Sequence, residues 1–212
     1  MAEQRQALKV IKKKWFPICA SKEFDEKIIG ESLVASPSDL VGRIISVNLM
    51  TLTDDIKQQS VYLKFRIISA DSEKATADLI AVELIPAAVR RLVRRGCNRI
   101  DVSYVCETAD GRKVRLKPFL VSKALGRGAV VAKLRKELMR YVASEVKKVS
   151  FEELVRMIIS NRLQTSAKAD LKKIYPIRSC EIKWAGIVSR GKVAQQQAAK
   201  EPGPAEEKEE SE

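Results

Sequence analysis

Four arginines fall within six residues, Arg90, Arg91, Arg94 and Arg95, in the run AAVRRLVRR. On a helix Arg90 would lie one turn from Arg94 and Arg91 one turn from Arg95, a spacing at which like charges repel. An external polyanion relieves that repulsion, and nucleic-acid phosphate is the commonest one. The bland alternative is a solvated face with some charges paired to distant acids. Acid–base chemistry has little to work with, because the chain has no histidine, the usual proton carrier near neutral pH and the commonest metal ligand. Cys19, Cys97, Cys106 and Cys180 form no CxxC pair, so no zinc site is expected, and each reads as a small buried apolar residue. The acid pairs Asp25-Glu26, Asp54-Asp55 and Glu152-Glu153 read as solvated carboxylates or, for the last, as helix first-turn acids. Gly126-Arg127-Gly128 could seat a phosphate ahead of a helix, but a plain loop with a charged tip is the simpler reading. With no Walker-type loop and no GxGxxG after a strand, neither catalysis nor a cofactor is expected.

The charge is distributed unevenly. The chain has 212 residues, 45% of them apolar, and a net charge of +13. Glu201–Glu212 holds six acids and one lysine, a net of −5, which leaves +18 on the residues before it. A body that basic repels itself unless a polyanion neutralises it, while the apolar share suffices for a core. No run reaches the roughly 18 apolar residues of a membrane span, and the first residues lack a signal-peptide core. A cytoplasmic protein is expected.

The elements that must position these charges follow from periodicity. Residues 1–27 read as an extended basic arm, with Lys12, Lys13 and Lys14 leading into Trp15-Phe16-Pro17. A single α+β domain is expected over 28–190, and residues 191–212 read as a disordered acidic tail. Val41, Arg43, Ile45, Val47 and Leu49 alternate with Ile44, Ser46, Asn48 and Met50, as do Val61, Leu63, Phe65 and Ile67 with the residues between them. Residues 70–74 read as a turn into a further strand ending near Leu84. Pro86 fits a first helical position and Gly96 the place just past the end. Ile100, Val102, Tyr104 and Cys106 form one face of a strand, Asp110-Gly111 predicts a type I′ hairpin, and Val114 and Leu116 return inward with Arg115 and Lys117 outward. Pro118 marks an edge or a bulge.

Residues 129–149 predict a helix with Val131, Leu134, Leu138, Val142, Val146 and Val149 on one stripe and Lys133, Lys136, Arg140 and Lys147 on a separate basic face. Ser150 and Glu153 predict a capping box for the helix SFEELVRMIISNRL, with Phe151, Leu154, Val155 and Ile158 inward. A further short helix ends near Tyr175-Pro176. Residues 177–189 predict a strand with Cys180, Ile182 and Trp184 on one side.

The segments KKKWF, LVGRIISVNL, VYLKFRI, RIDVSYVCETADGRKVRL and IYPI occur in that order. Together they resemble the S3Ae (eS1) family of small-subunit ribosomal proteins of archaea and eukaryotes, over roughly residues 12 to 185, with archaeal-type length. The resemblance implies a β-barrel-like body packed with helices, and the whole is expected to be an antiparallel sheet body with three to four helices. The resemblance also implies binding to rRNA on the platform of the small (30S) subunit near the mRNA exit, and neighbouring ribosomal proteins as partners, with mRNA a further contact. No membrane partner is expected, since the basic helix has only a moderate apolar face and no aromatic anchors, and no homo-oligomer is expected.

The residues expected to meet rRNA come instead from charge and periodicity. They are Lys12, Lys13, Lys14 and Trp15 in the arm, Arg43, the quartet Arg90, Arg91, Arg94 and Arg95, and the hairpin residues Arg112, Lys113, Arg115 and Lys117. Lys123 and Arg127 precede the long helix, which adds Lys133, Lys136, Arg140 and Lys147. A free-standing single-strand binder using its sheet as a stacking platform is the competing reading. The low aromatic content, 5%, weakens it.

Overall fold

The computed structural model describes residues 13–21, 24, 26–71 and 74–188. Lys12, the first part of the expected arm and the acidic tail lie outside the described residues. Nine strands form one sheet: β1 (Lys14–Cys19), β2 (Ile28–Val34), β3 (Ile44–Asn48), β4 (Val61–Ala70), β5 (Ala75–Leu84), β6 (Arg99–Asp101), β7 (Tyr104–Glu107), β8 (Lys113–Ser122) and β9 (Ile177–Ile187). Among the described residues five α-helices accompany them: α1 (Leu49–Thr53), α2 (Pro86–Leu92), α3 (Gly128–Val146), α4 (Phe151–Ile159) and α5 (Arg162–Lys172). The α+β class stands, with more helices than expected.

The sheet turns on two long strands that each serve several partners. β4 pairs along the whole of one edge of β5. β1, in parallel, and β9, antiparallel, therefore share the other edge, at Ala75-Thr76 and Ala81–Glu83 respectively. β8 pairs with β9 on one edge and with β6 and β7 in succession on the other. The sheet is open: among the described residues no ladder joins β2 to β3.

Residues 14–19, read from sequence with the arm, are a strand. Phe16 and Ile18 are buried while Trp15 points out, as the period-two alternation of a strand requires. Leu63, Phe65 and Ile67 are buried as their spacing requires, and Phe24 meets Phe65 edge to face at 5.6 Å. The expected strand over 41–50 is shorter. Val41 is exposed, and Asn48 ends β3 by accepting a hydrogen bond from Met50 N at 3.0 Å, which caps α1.

The inner face of the sheet carries the core. Leu134, Leu138, Val142 and Val146 of α3 and Phe151, Leu154, Val155 and Ile158 of α4 are buried against it, as the helical stripes predict. Lys147 and Val149 lie just past the end of α3. Ser150 Oγ accepts from Glu153 N at 3.2 Å. The helix expected from Ser150 through Leu163 ends at Ile159, where Asn161 takes a left-handed conformation at φ +56, and Arg162 and Leu163 begin the further helix α5 instead.

Three further expectations are corrected. First, the loop between β7 and β8 is not a two-residue type I′ turn. That turn needs φ > 0 at both central residues, and only Gly111 (φ +70) has it. Thr108 N donates to Arg112 O at 3.1 Å, enclosing the three residues 109–111 with glycine at the left-handed position. Asp110 is thereby free to accept from Phe151 N at 2.9 Å and caps α4 from the adjoining loop.

Second, α2 stops at Leu92. Arg94 and Arg95 therefore follow the helix and do not continue it. Leu92, Val93 and Cys97 pack on a small cluster of Val89, Phe119 and Val121 on the outer face of the sheet, and an extended Val93 (φ −84, ψ 127) is what brings them there. Third, Cys106 and Cys180 are buried but Cys19 and Cys97 are only partly so.

Candidate nucleic-acid interface

Positive charge gathers in two regions. In the first, Arg90 and Arg91 stand exposed on α2, and Arg94 and Arg95 are exposed in the turn after it. That turn is tied to the loop before α3. Asn98 N donates to Ser122 Oγ at 2.8 Å, Asn98 Nδ2 to Gly126 O at 3.1 Å, and Cys97 Sγ to Lys123 O at 3.5 Å. The quartet is thus linked to Lys123 and Arg127. Arg127 is the N-cap residue of α3 and makes no side-chain cap bond. Along α3, Lys133, Lys136 and Arg140 are exposed, as is Arg135, which the sequence reading passed over.

The second region is the outer face of β8 and β9. Arg115 is exposed and Lys117 half-buried there, and Lys117 with Arg99, Lys183 and Asp101 lines a hollow of about 300 Å³. Lys183 and Arg99 were not anticipated, since each looks like an ordinary strand charge until the ladder is known. Trp184 is corrected here. It does not share a side with Cys180 and Ile182 but lies on this outer face, because Lys183 is an unpaired extra residue in the ladder opposite Pro118.

The remaining candidates are more scattered. Lys13, Lys14 and the 65%-exposed Trp15 sit at the start of β1. Arg43 Nη1 donates to Ser32 Oγ at 3.3 Å, between the free edges of β3 and β2. Arg112 and Lys113 stand at the hairpin tip, and Lys147 at the far end of α3. Of the residues expected to meet rRNA only Lys113, with Glu107 at 3.3 Å, and Arg140, with Glu137 at 3.3 Å, have an acid within 4 Å among the described residues.

Buried ionisable groups give no sign of a reaction centre. Burial pushes the Cys180 thiol up to about 12, and burial likewise raises the Cys106 thiol and the Tyr104 phenol. These are the protonated, unreactive forms. Among the described residues no cluster of acidic and cysteine side chains could hold a metal ion, and no helix is long and apolar enough to cross a membrane.

A family model described as the Ribosomal S3Ae family matches residues 2–190. The chain belongs to the S3Ae family. Relatives carry the name small ribosomal subunit protein eS1. That of Methanothrix thermoacetophila is 29% identical over 200 residues, 94% of this chain and 95% of its own length. That of Methanothermobacter thermautotrophicus is 31% identical over 170 residues, 80% and 87% of the two chains. That of Haloarcula marismortui is 27% identical over 190 residues, 90% and 89%. These relatives are archaeal, and the matched span of the S3Ae family holds every basic residue described above.

Proposed function

We propose that this protein is a structural, non-enzymatic constituent of the small ribosomal subunit, working in the cytoplasm on the ribosome and associating with rRNA and neighbouring ribosomal proteins. Membership of the S3Ae family over nearly the whole chain carries this reading. The exposed cations without acid partners give it a physical basis, since a folded body this basic gains from phosphate neutralisation.

The finer reading is that the protein meets rRNA on the platform, near the mRNA exit. The quartet with Lys123, Arg127 and the α3 lysines would meet one phosphate surface, and Arg115 and Lys117 another. Such phosphate bonds position the protein and do not read bases. The barrel-like curvature belongs to the same proposal, with Arg43–Ser32 the polar link where β3 approaches β2. So does the arm ahead of β1, whose Lys12 and Lys13 would be ordered by RNA while Lys14 and Trp15 already stand in β1, and so does the acidic tail, which phosphate would repel.

Sedimentation of a cell lysate through sucrose, probed for this protein, tests the reading. Co-migration with the small subunit is expected. Protein confined to the top of the gradient would overturn it.

A further inference from the structure

The β8–β9 ladder contains one irregularity with a chemical consequence. Lys117 pairs with Trp184 and Pro118 with Ile182, so Lys183 has no partner. Proline has no N–H to give to the ladder, and a bulge is how a sheet accommodates it. One extra residue exchanges the two faces beyond it. Cys180 and Ile182 point into the core and so does Ala185, while Trp184 points out.

Gly186 is two residues along the same strand. A Cβ there would lie 2.8 Å from both Cζ2 and Cη2 of Trp184 and 2.6 Å from Ala81 Cβ. The indole therefore lies down over the Gly186 backbone, and only the missing side chain lets it do so. Lys117 Nζ stands 5.5 Å from the ring centroid.

Two acids on this face are already matched, and a third, Glu181, has no cation within 4 Å among the described residues. Arg99 meets Asp101 at 2.7 Å, and Lys64 meets Glu83, the cross-strand neighbour of Trp184, at 2.6 Å. Among the described residues Lys117, Lys183 and Arg115 have no acid within 4 Å. A flat aromatic ring, one side on the sheet, thus has Lys117 over it in a cation–π contact, which swings aside when a base stacks, and Lys183 and Arg115 stand near it without acid partners.

We propose that Trp184 is a stacking platform for one unpaired nucleobase of RNA, with the flanking phosphates held by Lys117, Lys183 and Arg115. This rests on the rRNA-binding reading and deepens it by naming a single-stranded nucleotide as the ligand of this face. A base matches the indole in shape and offers a π face whatever its identity. Its phosphates supply the anions that the three cations lack. An apolar knob from a protein neighbour would cover the ring and leave those cations unmatched, and a cationic one would be repelled by them.

The chain has two tryptophans, so Trp15→Phe leaves Trp184 as the sole indole, and every variant is compared in that background. The probes are hexa-adenylate and hexa-uridylate RNA at low salt, with transcribed small-subunit rRNA alongside. Hexa-adenylate should quench Trp184 emission saturably and more strongly than hexa-uridylate. Trp184→Leu should weaken hexa-adenylate binding about tenfold, within the range that one stacked base contributes, and Trp184→Phe should weaken it less. Replacing Lys117 and Lys183 with glutamine should lower the salt slope by about 0.7 for each single-strand phosphate that is no longer neutralised. Absence of quenching overturns the proposal and requires no substitution at Trp184, so a misfolded Trp184→Leu does not shelter it. If rRNA still binds in that case, the stacking site fails alone; if rRNA does not bind either, the ribosomal reading fails with it.

Discussion

Replacing Gly186 with alanine should unseat Trp184 and loosen the centre of the sheet. The new methyl group would sit 2.8 Å from the indole and 2.6 Å from Ala81 Cβ. The indole is half-buried and can swing outward. Ala81 cannot, because it is the direct ladder partner of Gly186 and is itself buried. The two strands must separate locally, and overpacking of this kind costs about 1–3 kcal/mol. In a domain of this size 1 kcal/mol lowers Tm by about 2–4 °C, so a fall of about 2–12 °C is expected in a thermal melt, with a red shift of Trp184 emission. The variant Ala81→Gly removes one of the two clashes. The double variant should therefore recover part of the lost stability and show a favourable coupling in the mutant cycle. An unchanged Tm and emission for Gly186→Ala would refute the seat as described. Two additive losses would refute the pairing of Ala81 with Gly186 as its cause.

Other consequences concern the charges and the caps. Changing Arg90, Arg91, Arg94 and Arg95 to glutamine should weaken rRNA binding and lower its salt slope by about 0.9 for each duplex phosphate that the quartet had neutralised; an unchanged slope in filter binding would mean that the quartet is a solvated face. Asp110→Ala leaves Phe151 N without its acceptor, and loss of a cap costs about 0.5–2 kcal/mol, readable in urea melts. Burial holds the Glu181 carboxyl above the usual carboxylate range, with Lys168 opposing the shift. Its folded pKa exceeds its unfolded one, so the folded state binds the proton more tightly, and stability falls as pH rises from the unfolded value through the folded one. Glu181→Gln should be more stable than the parent at neutral pH and should flatten the fall of Tm across that window; a parallel pH profile would contradict this.

What was legible in the sequence is what neighbouring residues decide among themselves. Leu63, Phe65 and Ile67 alternate inward because strand geometry leaves them no choice. Phe151, Leu154, Val155 and Ile158 share a helix face by spacing alone, and Ser150 caps because its oxygen reaches Glu153 N wherever the chain turns into a helix. The end of α2 at Leu92 was not legible. The run AAVRRLVRR continues a helical pattern, and the break depends on Phe119 and Val121, from a strand some thirty residues later, which draw Val93 out of the helix. The strand Lys14–Cys19 was hidden for a similar reason: its alternation is short, basic at one end and interrupted by Pro17, and it depends on β2 and β5 for its pairing.

The site divides along the same line. The identity of the cations was readable, but not which of them share a surface. The link between the Arg94-Arg95 turn and the Lys123–Arg127 loop runs through Asn98, Ser122 and Cys97, residues with no charge to attract notice. Pro118 announced a bulge, yet nothing nearby said that the extra residue would be Lys183 on another strand, or that Trp184 would change sides because of it. The consequence is an asymmetry in how the sheet is covered. Its inner face is sealed by α3, α4 and α5. Among the described residues its outer face is covered where Val89 of α2 sits on Phe119 and Val121. Elsewhere on that face an aromatic ring lies on a glycine among cations that no acid of the described chain neutralises. For the fold itself the Lys117–Trp184 contact contributes only about 0.5–1 kcal/mol, and Lys183 and Arg115 have no acid within 4 Å among the described residues to pair with. An RNA that supplies both the base and the phosphates gives each of these residues a partner.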